Sequence, residues 1–377
     1  MRIGIDIRSL MAPERTGVGE YVFQLLNALF FLDKENEYWL FYNSHEDVSA
    51  NIPGWNQENV RFVSTKYPNK LLNFGLSAAG WPRLDKLIER RSGALDVFFS
   101  PNLNFTAVSP KIKFILTIHD LSFEFFPDCF SAKQRIWHKI INPRKQCRRA
   151  DLILTPSDNT RRDLIKEYGI DEKKVKRIYP GLSGAFLRDE KIIGDEQRVR
   201  TKYGLPDKYI LYLGTIEPRK NVVGIIEAYR EANLLARGFE LIIAGAKGWK
   251  YEETIELMNK TAGVKYIGYV DEGDKAVLYR MASLFAYPSF YEGFGFPVVE
   301  AMASGVPVIT GNRSALVEAG GDGVYLVNPY NVSEIATGMK LMLENNRIAE
   351  LYRSRGLEQA RKFRWESTAR ELLEILK

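Results

Sequence analysis

Short apolar runs alternate along the whole chain with longer stretches in which hydrophobic residues recur every three or four positions. Runs of about four to eight apolar, β-branched or aromatic residues bounded by polar turns read as buried strands, whereas the longer spacing reads as amphipathic helix. In the first half, strands are expected near 3–7, 37–43, 60–65, 96–100, 113–118, 151–156 and 174–179. In the second half they recur near 209–214, 239–245, 265–270, 284–289, 307–310 and 324–328. The helix after the first strand shows the second period, with Tyr21, Val22, Leu25, Leu26 and Leu29 on one apolar stripe. Strands that alternate with helices build parallel sheets covered on both faces, an α/β architecture.

A chain of 377 residues exceeds the size at which a single core stops growing. Two domains are therefore expected, over 1–180 and 201–360, joined by the polar stretch 181–200 and followed by a last helix within 361–377. No internal repeat or low-complexity segment interrupts them. No apolar run approaches the ~18 residues that span a bilayer, and the amino terminus is itself a strand. Cys129 and Cys147 form no metal-ligand pattern and suit a reducing compartment, so a cytoplasmic location is expected.

Charge changes the picture more by its distribution than by its total of +6. Residues 51–150 carry 16 Lys and Arg against 7 Asp and Glu, whereas 201–377 carry 22 of each. The segment 133–149 has seven cations and no carboxylate, with Ile136, Trp137, Ile140 and Ile141 at helical spacing up to Pro143. The segment 71–91 sets Phe74 and Trp81 beside Arg83, Lys86, Arg90 and Arg91. Such faces suit an anionic membrane surface. The alternative is an ordinary helix that buries Trp137 and leaves its cations solvated. No nucleic-acid-binding module is recognisable, so no nucleic-acid partner is expected.

The most informative chemistry lies in YEGFGFPVVEAMASGVPVI, residues 291–309. Glu292 and Glu300 stand eight positions apart, around the glycine loop Gly293-Phe294-Gly295 and Pro297, which suits the first turn of a helix. Glu292 then falls in a loop at the carboxyl end of a strand, where open α/β sheets bind ligands, and Glu300 lies one to two turns into the helix. On one continuous helix their backbones would be about 12 Å apart. A hydrolase pair needs roughly 5 Å, or 6.5–9.5 Å, between its carboxyl groups. Two contacts on one elongated ligand fit the spacing better. The competing structural reading has Glu292 capping the helix and Glu300 in solvent.

Three further segments carry candidate chemistry. In YILYLGTIEPRKNV, residues 209–222, an apolar strand runs into Gly214, and Arg219 and Lys220 precede a helix that begins near Asn221. Cations are poorly placed against a helix amino terminus, and an anionic ligand there would resolve the conflict. At the amino terminus, Gly17-Val18-Gly19 follows the strand IGIDI and opens a helix. It fails as a dinucleotide fingerprint, since position 22 is Val and no acidic partner follows. In KFILTIHDLSFEFFPDCF, residues 113–130, a buried strand ends at His119-Asp120 beside an aromatic loop. His119 is one of only three histidines.

Taken in order, these segments resemble the E-x7-E motif and companion loops of the retaining nucleotide-sugar glycosyltransferases of family four, across nearly the whole chain. The resemblance implies the GT-B fold, two Rossmann-like domains facing across a cleft, with the last helix crossing back onto the first. It implies an amino-terminal acceptor domain and a carboxy-terminal donor domain. It places Glu292 at the donor sugar, Glu300 on the ribose hydroxyls and the amides of Gly293, Phe294 and Gly295 along the sugar and phosphate. Arg219 and Lys220, with Gly214 ahead of them, would clamp the donor diphosphate. The loop Gly17-Val18-Gly19 would face the phosphates, and His119 the donor sugar. No Asp-x-Asp occurs among the 17 aspartates, so no metal or other cofactor is expected, and the two cations would neutralise the leaving group.

The combination of IGIDIRSL, TGVGEY, TIHDLSF, TPSDNTRRDL and EGFGFPVVEAMASG is most similar to bacterial mannosyltransferases of polysaccharide and lipopolysaccharide assembly. It implies GDP-mannose as the donor, a UDP-sugar as the next choice, and a glycan or lipid-linked glycan as the acceptor. Several enzymes of the family act on lipid-linked acceptors at the cytoplasmic membrane face, so the resemblance implies a peripheral position on its inner side. A GT-B-fold sugar-nucleotide epimerase or hydrolase, or a non-catalytic nucleotide-sugar binding protein, are the alternative readings. Replacing Glu292 or Lys220 by Ala is expected to abolish transfer with little loss of stability.

Overall fold

The computed structural model describes residues 1–13, 15, 17–187 and 195–377. The chain divides into two compact units, one of Met1–Leu121, Lys133–Gly181 and Arg364–Lys377, the other of Ser122–Ala132 and Leu182–Phe363.

The first unit is built on β1 (Arg2–Asp6), β2 (Glu37–Asn43), β3 (Val60–Thr65), β4 (Val97–Ser100), β5 (Lys113–Thr117), β6 (Leu152–Thr155) and β7 (Val175–Arg177). They form one sheet in the order β3-β2-β1-β4-β5-β6-β7, and every pairing is parallel. The second unit carries β8 (Tyr209–Leu213), β9 (Glu240–Ala244), β10 (Val264–Gly268), β11 (Leu284–Tyr287), β12 (Val308–Gly311) and β13 (Tyr325–Val327). Their order is β10-β9-β8-β11-β12-β13, again parallel throughout. Both sheets are doubly wound, and the strand order reverses at β1/β4 in one and at β8/β11 in the other. Such switch points leave a crevice at the carboxyl ends of the strands.

Central strands are buried on both faces, so they read as continuous apolar runs rather than as an alternation. All five residues of β8 are buried. Several core side chains are tyrosines, and burial obliges each hydroxyl to find an acceptor. Tyr209 donates to Leu278 O at 2.6 Å, Tyr212 to Thr215 O at 3.0 Å and Tyr229 to Phe239 O at 2.8 Å.

The domain boundaries differ from the sequence expectation in two places. The aromatic loop within 1–180 groups with the second unit, where its rings pack against aromatic partners and Phe130 is buried. Phe125 and Phe126 lie 5.6 and 5.8 Å from the ring of Tyr291, and Phe130 stacks on Trp249 at 5.6 Å. The expected linker 181–200 is also shorter. Asp195–Tyr203 is a helix of the second unit that buries Val199 and pairs Lys202 with the buried Asp274 at 2.6 Å. Residues 188–194 of that stretch lie outside the described residues. The helix Trp365–Leu376 packs in the first unit, where Trp365 meets the ring of Tyr21 edge-on at 5.4 Å and Thr368 Oγ1 donates to Tyr179 O at 2.7 Å.

The basic segments form short helices of the first unit: Asn69–Phe74, Leu84–Ser92, Ala132–Ile141 and Pro143–Arg149. Trp137 is not a core residue. It meets Phe105 edge-on at 6.1 Å and keeps 37% of its surface exposed, while Phe74 and Trp81 are 70% and 67% exposed. Among the described residues no helix is long and apolar enough to cross a membrane.

Candidate active site

The loop after β8 passes Gly214 and enters a tight turn, Pro218–Lys220, whose first position suits proline's fixed φ. Asn221 then adopts a left-handed conformation, φ 57°, which Asn tolerates better than most residues, and the helix Val222–Glu231 begins. Its Nδ2 donates to Pro288 O at 3.1 Å and to Pro329 O at 2.7 Å. One side chain thus ties the loops after β8, β11 and β13 together.

The loop after β11 carries Glu292. It ends at Gly295, whose φ of 107° is costly for any residue with a Cβ, and whose missing Cβ would sit 2.9 Å from Leu316. The helix Phe296–Ala303 follows, with Pro297 in its first turn. The Phe294 ring packs against Phe296 and Phe363 at 5.3 and 5.2 Å, so this residue can offer a ligand only its backbone.

These two loops bring three of the sequence candidates into one cluster. Lys220 Nζ donates to Glu292 Oε1 at 2.6 Å and Arg219 Nη1 to Glu292 Oε2 at 3.1 Å. Arg219 also donates to Tyr291 O at 2.5 Å and, through Nη2, to Glu217 Oε1 at 2.7 Å. All four charged side chains are largely buried. Burial alone would raise the Glu292 pKa, but Lys220 and Arg219 outweigh it and hold the carboxyl near 2. The carboxylate is thus ionised and does not cap its helix.

This pairing corrects one inference from sequence. Arg219 and Lys220 are not unbalanced cations at a helix start, because Glu217 and Glu292 already neutralise them. Nothing in the local sequence pattern paired these charges, since Glu292 is 72 positions from Lys220. Glu217 was missed altogether. Its side chain is buried beside Arg219, and its Oε2 has no hydrogen-bond partner among the described residues.

Glu300 stands apart from the cluster. It is half-buried on its helix, and its Oε2 accepts from the hydroxyl of Tyr279 at 3.1 Å. Gly214 donates to Ala244 O at 3.0 Å, and Gly245 packs against it so closely that a Cβ there would lie 2.1 Å from Gly214 O.

In the first unit, Gly17, Val18 and Gly19 open the helix Gly17–Leu32 directly after the β1 loop; Glu14 and Thr16 of that loop lie outside the described residues. One turn on, Tyr21 sets its ring edge-on to His119, centroids 4.6 Å apart. His119 leaves the end of β5, and its Nε2 lies 3.0 Å from Pro101 O. A carbonyl can only accept, so Nε2 carries the proton and Nδ1 keeps its lone pair. Desolvation pushes the imidazole pKa below its ordinary value, against the opposing effects of Pro101 and Asp120. His119 is therefore neutral at pH 7. Among the described residues no cluster of three or more His, Cys, Asp or Glu side chains is placed to hold a metal ion.

Two doubly wound parallel-sheet units, each with a glycine-bearing loop at its switch point, define the GT-B fold. Residues 15–183 match the family model described as Glycosyltransferase Family 4, and 195–363 match Glycosyl transferases group 1. The chain belongs to this family of glycosyltransferases. It is 30% identical to the O-antigen chain mannosyltransferase B of Escherichia coli over 96% of both chains. It is also 30% identical to the serotype-specific mannosyltransferase WbdA of Escherichia coli, over 62% of this chain but 29% of that longer protein. Among solved structures, Anabaena HepE in complex with UDP and glucose shares the fold, with a TM-score of 0.72 over 100% of this chain and 99% of that one at 18% identity.

Proposed function

We propose that this glycosyltransferase moves mannose from GDP-mannose, with retention of configuration and without a metal, onto a glycan or lipid-linked glycan acceptor. The observation that carries the reading is the buried Glu292–Lys220–Arg219 cluster at the β8/β11 switch point. The mannosyl assignment is supported by the likeness to two mannosyltransferases of Escherichia coli. Lys220 and Arg219 would stabilise the charge that develops on the leaving diphosphate, in a buried setting where such stabilisation is strong. Glu292 would orient the sugar and Glu300 the ribose. The acceptor hydroxyl would attack the anomeric carbon on the face the diphosphate leaves, and the diphosphate would take the hydroxyl proton. Gly17, Val18 and Gly19 would approach the phosphates, and His119, neutral and with Nδ1 free to accept, would meet the sugar.

The test is a thermal-shift screen of nucleotides and nucleotide sugars with EDTA present throughout. A bound ligand raises stability by about 2.7 kcal/mol at a hundred times its dissociation constant. Stabilisation by GDP and GDP-mannose that EDTA leaves undiminished is the expected result. Stabilisation by UDP compounds alone replaces the donor, and none by any nucleotide refutes the reading.

The same proposal places the enzyme at the inner face of the cytoplasmic membrane. Leu71, Phe74, Trp81, Ile136 and Ile140 expose more than half of their surface, and Lys70, Arg83, Lys86, Lys133, Arg135 and Lys139 are exposed among them. Both basic segments touch one loop: Leu84 N donates to Ala107 O at 2.8 Å, and Phe105 meets Trp137 edge-on at 6.1 Å. Cosedimentation with anionic but not neutral vesicles at low salt is expected, and equal partition between the two sinks this part of the proposal.

A further inference from the structure

Ser314 precedes the helix Ala315–Gly320, the position where serine ordinarily caps a helix with its own hydroxyl. Here the hydroxyl makes no such cap. Instead its Oγ accepts from the backbone N–H of Glu292 at 3.0 Å, while Ala315 N donates back to Glu292 O at 3.4 Å. To reach across, Ser314 adopts φ 55° and ψ −151°, a region that only glycine visits readily. Strain of this kind persists only where the surroundings over-determine it, and it concentrates at functional sites. The surroundings do so here, since Leu316 on the same helix fills the space beside Gly295 at the far end of the Glu292 loop.

We infer that Ser314 is a positioning residue for the sugar-transfer reaction, holding the backbone of Glu292 so that its carboxylate stays aligned between Lys220 and Arg219. It touches no reacting atom on this view; it acts through Glu292. The inference rests on the proposed role of Glu292 at the donor. A carboxylate gripped by two cations at 2.6 and 3.1 Å is sensitive to small displacements of its own main chain. A one-ångström misplacement in such a site costs about a hundredfold in rate. A bare helix cap, by contrast, would support only the stability of its helix.

Two substitutions separate the roles. Ser314→Gly removes the hydroxyl and relieves the backbone, whereas Ser314→Ala removes the hydroxyl and keeps the strain. With GDP-mannose as the probe and water as the acceptor, GDP and free mannose being the products followed, both variants are expected to lose roughly ten- to a hundredfold in kcat with little change in donor KM. Ser314→Gly should melt no lower than wild type, so its lost activity is not unfolding. A second readout needs no turnover. The acid limb of stability that belongs to Glu292 should move to higher pH in Ser314→Gly and disappear when Glu292→Gln is added. Wild-type kcat together with an unmoved acid limb in Ser314→Gly overturns the inference. Retained transfer in Glu292→Ala would instead overturn the donor-site reading, and an unmoved acid limb would still decide against Ser314.

Discussion

Lys220 Nζ sits 2.6 Å from Glu292 Oε1, across 72 positions of sequence, and 5.4 Å from the ring centroid of Tyr287. The pair is therefore buried against an aromatic face rather than solvated, which changes what its removal should do. Breaking a buried pair leaves an uncompensated charge and costs about 3–5 kcal/mol. The sequence expectation that Ala substitution would spare stability does not survive this geometry. Lys220→Ala and Glu292→Ala are expected to abolish transfer and to lower the denaturant midpoint together. Transfer at the wild-type rate by either folded variant would refute their placement at the donor.

Glu292 also gives the protein an acid limb. Its carboxyl titrates near 2 in the folded state, whereas an unfolded glutamate titrates at about 4.3. The stabilisation is fully present above the unfolded value and is lost as pH falls towards 2, an effect of about 3 kcal/mol. Denaturant unfolding of wild type and Glu292→Gln should therefore differ most near neutrality and converge between about pH 4.5 and 2. A pH-independent difference would show that the carboxylate is not held by the two cations.

Gly245 meets the glycine of the β8 loop with no room to spare. Its φ is 125°, and an added Cβ would lie 2.1 Å from Gly214 O. Gly245→Ala should cost at least about 1–3 kcal/mol, as overpacked and strained positions do. It should also weaken nucleotide-sugar binding, because the loop that leads to Arg219 must shift. Unchanged melting and unchanged donor affinity would contradict this.

Trp365 is buried, with its ring edge-on to Tyr21, which in turn faces His119. Trp365→Ala should destabilise the first unit by about 3–5 kcal/mol. Hydrogen exchange should rise in the helix Gly17–Leu32 before it rises in β8–β13. Exchange that increases only in the second unit would place the carboxy-terminal helix elsewhere.

How much of this was legible beforehand follows from the range of the interactions. The strands were, because parallel strands buried on two faces carry their signal in consecutive residues, as YILYL does. Glu292, Arg219 and Lys220 were also visible, since each lies in a compact loop-to-helix pattern. Their mutual pairing was not, nor was Glu217, because a charge at position 217 says nothing about a partner at 292. Ser314 left no trace at all; its role exists only once the loops after β11 and β12 are side by side. The excursion of Ser122–Ala132 was hidden for a similar reason. An aromatic run predicts burial, but not which core receives it.

That excursion and the return of Arg364–Lys377 mean that neither unit is one continuous length of polypeptide. On the ribosome, the first sheet can form early, but the helix that covers Tyr21 emerges only after the entire second sheet has been made. A nascent first unit therefore keeps that apolar face uncovered until the second sheet has been made. A cut between Gly181 and Leu182 would leave one product without Arg364–Lys377 and the other without Ser122–Ala132, so each would lack a segment of its own unit.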